Sequence, residues 1–285
     1  MKKILLIVLA ALVAMPACVE AKSKKRIGLQ LYSIHSDMGN VDASLKKVAD
    51  AGYTVVETLG SPNCFGMDAA AFKAVCDKYG LSIVSTHTSI GMNPNDEAGV
   101  MAQWRKVFEG LKTMGAKYCV IPGFGLGRDL KELKAVCDYF NKVGALAKEY
   151  GLKLGYHNHA FEYEVVDNQV KWEYMIENTD PESVFFQMDV YWTTKGGKNP
   201  VDYLKKYPER IKMLHIKDDL VIGDSGKIDF EAIFKQFYAN GYSDFVVEQE
   251  MPRGPKDEDK AARLATMWEG VAKSAAYLKN AEFVK

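Results

Sequence analysis

The chain has 285 residues, of which 48% are hydrophobic and 26% are charged, a composition typical of a globular protein rather than a disordered one. Its 37 basic and 37 acidic side chains balance, so it lacks the excess of positive charge with which nucleic-acid-binding proteins displace counterions from phosphates. Five cysteines without a Cys-x-x-Cys pair argue against a zinc ribbon, a dithiol redox site and a disulfide framework.

The first predicted element is a signal peptide over residues 1–21. Lys2 and Lys3 precede an uninterrupted apolar run, residues 4–14, which is too short to span a bilayer permanently. The residues Val19-Glu20-Ala21 fit a cleavage site that leaves residues 22–285 as the mature domain. The alternative is a lipoprotein signal that ends before Cys18, in which case a lipid on that cysteine would be the attachment to the membrane. Both routes export the protein, and we expect it in the periplasm.

Beyond the signal peptide, eight short β-rich runs alternate with segments whose apolar residues have helical spacing. The runs are Ile27–Ser33, Tyr53–Leu59, Leu81–His87, Lys117–Pro122, Leu152–His159, Val184–Val190, Ile211–Lys217 and Asp244–Glu248. Five glycines before these runs predict left-handed helix ends. Eight βα units in roughly 260 residues predict an α/β protein with one domain, a (β/α)₈ TIM barrel. A doubly wound open sheet is the alternative, but no Gly-x-Gly-x-x-Gly follows the first run.

In a TIM barrel the carboxyl ends of the strands form the active site, and the predicted strands end in polar residues. These residues are Gln30, Tyr32, Glu57, His87, His157, His159, Asp189, His215, Lys217 and Glu248. Side chains alternate between the two faces of a strand, so His215 shares a face with Met213, Asp189 with Gln187, and Glu248 with Val246. Each polar residue can therefore continue an inward row. This clustering predicts one active site rather than isolated surface pairs.

The most specific part of this set is a predicted metal site. It consists of Asp189, His215 and Glu248, from the last three strands, and an acidic residue after the fifth strand. Three carboxylates and one imidazole suit one divalent ion, with Mn²⁺, Co²⁺ or Mg²⁺ favoured and Zn²⁺ as a further candidate. The ion would polarise a carbonyl and a neighbouring hydroxyl, and a nearby carboxylate would remove the proton between them.

With these residues the sequence resembles the xylose-isomerase-like TIM barrels, which include sugar isomerases and epimerases, inosose dehydratases and endonuclease IV. The matching segments are Tyr156-His157-Asn158-His159-Ala160-Phe161-Glu162, Gln187-Met188-Asp189, His215-Ile216-Lys217-Asp218 and Val246-Val247-Glu248. The resemblance implies that the metal ligands are Glu162, Asp189, His215 and Glu248. His159 competes with Glu162 as the ligand from the fifth strand, since many relatives have a glutamate within that strand, where this chain has His157.

The resemblance also implies which residues act on the substrate. Glu162 and Glu248 would be the acid/base pair, and Lys217 or a histidine, His159 in particular, would steady the developing charge. The residues expected to contact the sugar are Glu57, His87, His157 and Lys217. Trp192 would be either a stacking wall for the sugar or a buried anchor for its own loop.

The implied activity is that of an exported, metal-dependent carbohydrate enzyme that removes a proton next to a sugar carbonyl. Export favours a lyase/hydratase that cleaves 3-keto glycosides by β-elimination, because phosphorylated sugars are scarce outside the cytoplasm. A sugar isomerase or epimerase acting on unphosphorylated sugars is the first alternative, and a non-catalytic periplasmic sugar-binding barrel is the second. We expect a small sugar or glycoside as the partner, no nucleic acid, and the capacity to form a homo-oligomer.

Overall fold

The computed structural model describes residues 25–250 and 259–285, and its centre is a closed barrel of eight parallel strands. The strands are β1 (Gly28–Gln30), β2 (Val55–Leu59), β3 (Ser82–His87), β4 (Tyr118–Ile121), β5 (Lys153–His157), β6 (Val184–Asp189), β7 (Ile211–Ile216) and β8 (Phe245–Val247). Each strand pairs with its neighbour in the sequence, and β8 pairs with β1. The predicted (β/α)₈ barrel is confirmed, and the open sheet is wrong. The predicted signal peptide and Cys18 lie outside the described residues.

Helices follow the strands and cover the outside of the barrel. They are α1 (Val41–Asp50), α2 (Ala69–Lys78), α3 (Glu97–Met114), α4 (Leu130–Glu149), α5 (Lys171–Asn178), α6 (Val190–Lys195), α7 (Pro200–Lys206), α8 (Phe230–Ala239) and α9 (Lys260–Asn280). Most begin at an Asp or Asn whose side chain accepts a backbone N–H of the first turn; Asp129, for example, accepts the N–H of Glu132. Among the described residues, no helix combines the length and apolar composition that crossing a bilayer requires.

Two strands end two or more residues earlier than the sequence pattern predicts. β1 stops at Gln30, because the Gln30 side chain accepts the N–H of Tyr32 and starts a 3₁₀ helix, Leu31–Asp37. β5 stops at His157, and the chain then enters a loop that contains the short 3₁₀ helix Phe161–Tyr163. Residues after both points therefore leave the alternation of faces that a strand imposes.

The inside of the barrel is filled by one apolar layer below the polar strand ends. It consists of Val55, Val84, Val120, Phe185, Met213 and Val246. A Cβ on Gly155 would lie 2.5 Å from the Phe185 ring, so the ring occupies the space that a larger residue on β5 would need. This layer closes the barrel beneath the site, and the predicted inward face of Met213 and Val246 is confirmed.

Candidate active site at the carboxyl end of the barrel

The inward row of β6 shows how the strands build the site. Phe185 belongs to the apolar layer, Gln187 comes next, and Asp189 stands at the strand end, all three buried. Asp189 also caps α6, since its Oδ1 accepts the N–H of Trp192 at 2.8 Å. One carboxylate thus fixes the start of a helix and keeps its second oxygen for the site.

Glu57 on β2 lies in the floor of the site and is fully buried. Its carboxylate accepts hydrogen bonds from Gln30 Nε2 at 2.6 Å, from Gln187 Nε2 at 3.0 Å and from the Ser85 hydroxyl. His87 Nε2 lies 2.9 Å away. Burial alone would raise the pKa of Glu57, but the charge and hydrogen bond of His87 outweigh it and lower the pKa. Its oxygens are therefore occupied by protein groups, and the expected contact with sugar stays a prediction.

Three buried histidines come together above this floor. His87, His157 and His215 each offer one ring nitrogen, and these atoms lie within 4.8 Å of one another. Among the described residues, the buried Nε2 of His215 has no hydrogen-bond partner. An orphaned buried nitrogen of this kind is expected where a metal ion completes the site, so the three histidines fit a divalent ion. Three imidazoles suit Zn²⁺ better than they suit Mg²⁺.

The predicted metal ligands are only partly grouped in this way. His215 Nδ1 lies 3.2 Å from Asp189 Oδ2 and 3.6 Å from Glu248 Oε2, so these three residues do meet as expected. The histidine group is a second candidate set within the described residues, and only His215 belongs to both sets. The predicted ligand set of Glu162, Asp189, His215 and Glu248 stays a prediction. Asp189 and Glu248 lie next to His215, where they can orient the ring.

Glu162, predicted as a metal ligand, contacts Tyr156 and the backbone of His159 in the described structure. The fully buried carboxylate accepts the Tyr156 hydroxyl at 2.8 Å and the N–H of His159 at 2.8 Å. Burial raises the pKa of Glu162 to about 7, against hydrogen bonds from Tyr156 and the backbone that lower it. Both carboxylate oxygens therefore accept hydrogen bonds from protein groups. The roles of Glu162 as metal ligand and acid/base residue stay predictions without a supporting contact.

Lys217 supplies a buried positive charge at the end of β7. Its Nζ donates to Glu248 Oε1 at 2.8 Å and to Glu250 Oε1 at 2.5 Å, and it lies 5.0 Å from the centre of the Trp192 ring. Burial would lower the pKa of Lys217, but the charges of Glu248 and Asp189 raise it, so the amine stays protonated. Burial would raise the pKa of Glu248, and the charges of His215 and Lys217 lower it.

Two histidines near this cation are held neutral. Burial, with the charges of His215 and His87 adding to it, lowers the pKa of His157 well below its ordinary value. Burial also lowers the pKa of His159, whose ring stacks on Phe161 at a centroid distance of 6.0 Å. The site therefore combines unprotonated imidazoles with a protonated amine, as proton abstraction and anion stabilisation require.

A cavity of about 330 Å³ opens above these groups. Its lining residues are Tyr32, Leu59, His87, Pro122, His157, His159, Trp192, Lys217, Glu248 and Glu250. This volume lies at the lower end of the range for small-molecule sites. Trp192 is half-buried and lies on the wall of this cavity, where it can stack on a ligand. Among the described lining residues Glu162 and Glu57 are absent, because both are covered by their partners.

Three residues of the site went unpredicted as functional residues. Glu250 follows the last strand, and its spacing of two from Glu248 was the available indication. Ser85 and Gln187 lie on the inward rows of β3 and β6, two residues before His87 and Asp189. Alternation along the strand could have identified both.

Comparisons with known proteins agree with this architecture. Residues 45–274 match the family described as "Xylose isomerase-like TIM barrel". A solved structure of a sugar phosphate isomerase/epimerase from Parabacteroides distasonis is 36% identical, with 92% of this chain and 100% of that chain covered and a TM-score of 0.83. A solved structure of the IolI protein with a bound zinc atom has a TM-score of 0.64 at 17% identity, with 88% of this chain and 96% of that chain covered, and shows the fold alone.

A curated relative, an inosose dehydratase from Geobacillus kaustophilus, is 27% identical over 196 residues. The match covers 62% of this chain and 61% of the relative, so the chain spans about three fifths of the relative's length. The family profile spans far more than half of the chain, and the Parabacteroides structure covers nearly all of it. The resemblance inferred from the strand-end motifs is thereby confirmed, and the chain belongs to the xylose isomerase-like TIM barrel family.

Proposed function

We propose that this chain is a carbohydrate-modifying enzyme that cleaves 3-keto glycosides by β-elimination in the cavity at the carboxyl end of the barrel. The observation that carries the proposal is the pairing of unprotonated groups with a buried cation on one cavity wall. His159 and Glu248 can accept a proton there, and Lys217 can stabilise negative charge.

The proposed step begins at C2 of the sugar, whose proton is acidified by the neighbouring 3-keto group. A base takes this proton, the C–H electron pair forms a double bond between C1 and C2, and the C1–O bond to the aglycone breaks. The aglycone oxygen leaves with the electron pair of the C1–O bond and is protonated to the alcohol. Addition of water across the new double bond would complete a hydration and release the free 3-keto sugar.

The surroundings of each residue in the site suggest its role in this elimination. Glu248 and His159 are the candidate bases, and Lys217 faces the oxygen on which charge develops. Glu162 would position the His159 backbone through the hydrogen bond at 2.8 Å. A divalent ion held by His87, His157 and His215 would polarise the ketone when bound.

One comparison favours elimination over isomerisation. The curated relative is named as a dehydratase, which describes loss of water, an elimination. The Parabacteroides structure is instead named a sugar phosphate isomerase/epimerase, which keeps isomerisation or epimerisation as the second candidate. A phosphate group carries about two negative charges, whereas the described lining residues hold one lysine, Lys217, against two carboxylates, Glu248 and Glu250. An unphosphorylated substrate fits this wall better.

We also propose export to the periplasm with cleavage before Lys22, for which the N-terminal pattern is the support. N-terminal sequencing of the secreted protein tests this. A start at Lys22 is expected, a lipidated Cys18 would establish the lipoprotein alternative, and an intact Met1 in the cytoplasm would contradict export.

Incubation of purified enzyme with a 3-keto glucoside in D₂O tests the proposed reaction. Release of the aglycone is expected from the wild type and not from Glu248→Gln, whereas Glu164→Gln, which changes an exposed carboxylate outside the site, should behave like the wild type. Deuterium incorporation with an intact glycosidic bond would establish epimerisation instead. Binding without either change, and without a required metal ion, would favour the sugar-binding barrel.

A further inference from the structure

Gln187 contacts two of the three clustered histidines and the buried Glu57 at once. It lies on the inward row of β6, fully buried between Phe185 and Asp189. Its Oε1 is 3.0 Å from His87 Nε2 and 3.1 Å from His157 Nδ1. Its Nε2 donates to Glu57 Oε2 at 3.0 Å. Every polar atom of this amide therefore has a partner within the site.

The partners determine which way the amide points. A carboxylate can only accept hydrogen bonds, so the side of Gln187 that faces Glu57 must be the NH₂ group. The carbonyl oxygen then faces the two histidines, and because a carbonyl oxygen can only accept, each ring must present an N–H to it. The reversed amide would place its oxygen against the carboxylate and its NH₂ group against two N–H groups.

We propose that Gln187 is a positioning residue that fixes the tautomer of His157 and accepts the Nε2 proton of His87. His157 carries its proton on Nδ1, which leaves the Nε2 lone pair on the side of Asp189, whose Oδ2 lies 4.0 Å away. His87 carries its proton on Nε2, which lies between the oxygens of Gln187 and Glu57. Gln187 thus determines which nitrogen of His157 carries the proton, and together with Glu57 it holds a proton on Nε2 of His87.

The third histidine has a matching arrangement from a different partner. His215 Nδ1 lies 3.2 Å from Asp189 Oδ2 and donates to it, while its buried Nε2 has no hydrogen-bond partner among the described residues. His157 and His215 therefore both present an Nε2 lone pair, and their rings meet edge to face at a centroid distance of 4.6 Å. A metal-ligating histidine characteristically donates its other nitrogen to a neighbouring acceptor, which orients the ring. Gln187 is the acceptor for His157 Nδ1, as Asp189 is for His215 Nδ1.

The inference concerns the site of the proposed function but does not depend on which sugar reaction occurs there, because it is tested without substrate. Long-range ¹H–¹⁵N correlation spectra of the metal-free, ¹⁵N-labelled chain report the tautomer of each histidine, with the rings assigned from His87→Gln and His157→Gln. We expect a proton on Nδ1 of His157 and on Nε2 of His87. A neutral His157 ring protonated on Nε2 would overturn the proposal.

Gln187→Met removes the amide at nearly constant length, and Gln249→Met is its matched control. Gln249 is a buried glutamine that accepts the Ser274 hydroxyl at 3.0 Å and touches none of the three histidines. For Gln187→Met we expect a mixture of His157 tautomers and a loss of Co²⁺ affinity of about 10- to 100-fold, the range typical of removing such an outer partner. For Gln249→Met we expect the wild-type tautomer and affinity.

The spectrum of the variant and a direct Co²⁺ titration together decide the result. A folded Gln187→Met that keeps the wild-type tautomer, with Co²⁺ affinity within about threefold of the wild type, would contradict the proposal. If the variant fails to fold by circular dichroism, or if the wild type binds no Co²⁺, the wild-type tautomers decide alone. The expected tautomers in a chain that cleaves no glycoside would refute the proposed reaction and leave this inference standing.

Discussion

Glu162→Gln should change how the stability of the protein depends on pH. Burial raises the pKa of Glu162 to about 7, from an ordinary value of 4.5. A carboxyl whose pKa is raised on folding stabilises the folded state fully below pH 4.5, and that stabilisation is lost as the pH rises through about 7. The glutamine side chain of the variant cannot ionise, so the variant should not lose stability in this range.

The size of the effect follows from the shift. At about 1.4 kcal/mol per pKa unit, the wild type should lose about 3 kcal/mol relative to Glu162→Gln between pH 4.5 and pH 8. A glutamine can keep both contacts, since its oxygen can accept the N–H of His159 and its NH₂ group can donate to the Tyr156 hydroxyl. The variant should therefore fold like the wild type at low pH.

Urea unfolding of metal-free protein at several pH values measures the difference. Glu164→Gln is the control, because Glu164 lies two residues away, is largely exposed and pairs with Lys171. Its difference from the wild type should stay nearly constant with pH. A difference between wild type and Glu162→Gln that also stays constant from pH 4.5 to pH 8 would refute the assignment of Glu162 as a buried, reluctantly ionised carboxyl.

Three further predictions concern the barrel. Gly155→Ala should destabilise it by about 1–3 kcal/mol, because the new Cβ would lie 2.5 Å from the Phe185 ring; an unchanged urea midpoint would contradict the packing. Asp244→Asn should reduce stability by about 1.5–3 kcal/mol, since the carboxylate accepts charged hydrogen bonds from Arg26 and Lys117. Burial opposes the ionisation of Asp244, but these two cations lower its pKa. In urea unfolding, the advantage of the wild type over the variant should therefore be full above pH 3.8 and fade on acidification. The four described cysteines are unpaired and buried, and burial raises the pKa of each thiol, so a thiol reagent should react with them only on unfolding; rapid reaction of the native protein would show that the barrel opens.

The barrel was predictable because its determinants are local and repeated. Strand runs, positive-φ glycines such as Gly115 and the shared face of Met213 and His215 each follow from a few neighbouring residues. The same alternation puts Asp189 and Glu248 on the inward face, and the meeting of strand ends in a barrel predicts their contact with His215, as found. Local rules of this kind remain valid as long as the chain stays in a regular element.

The histidine group and the partners of Glu162 were less predictable, for two physical reasons. Alternation ends at His157, so it could not show that Glu162, five residues later in the loop, turns towards Tyr156. The histidine group depends on distances across the closed barrel, between side chains of β3, β5 and β7 that are far apart in the sequence. Sequence spacing orders the strand ends around the barrel but does not say which ring nitrogens meet.

Removal of the C2 proton is the central claim, and isotopic labelling of the substrate tests it most directly. A 3-keto glucoside with deuterium at C2 is cleaved in ordinary water, and the released sugar is analysed by mass spectrometry beside an enzyme-free control. We predict that the wild type releases aglycone together with a sugar that has lost its deuterium. A released sugar that keeps the deuterium at C2 would contradict elimination and indicate direct hydrolysis of the glycosidic bond.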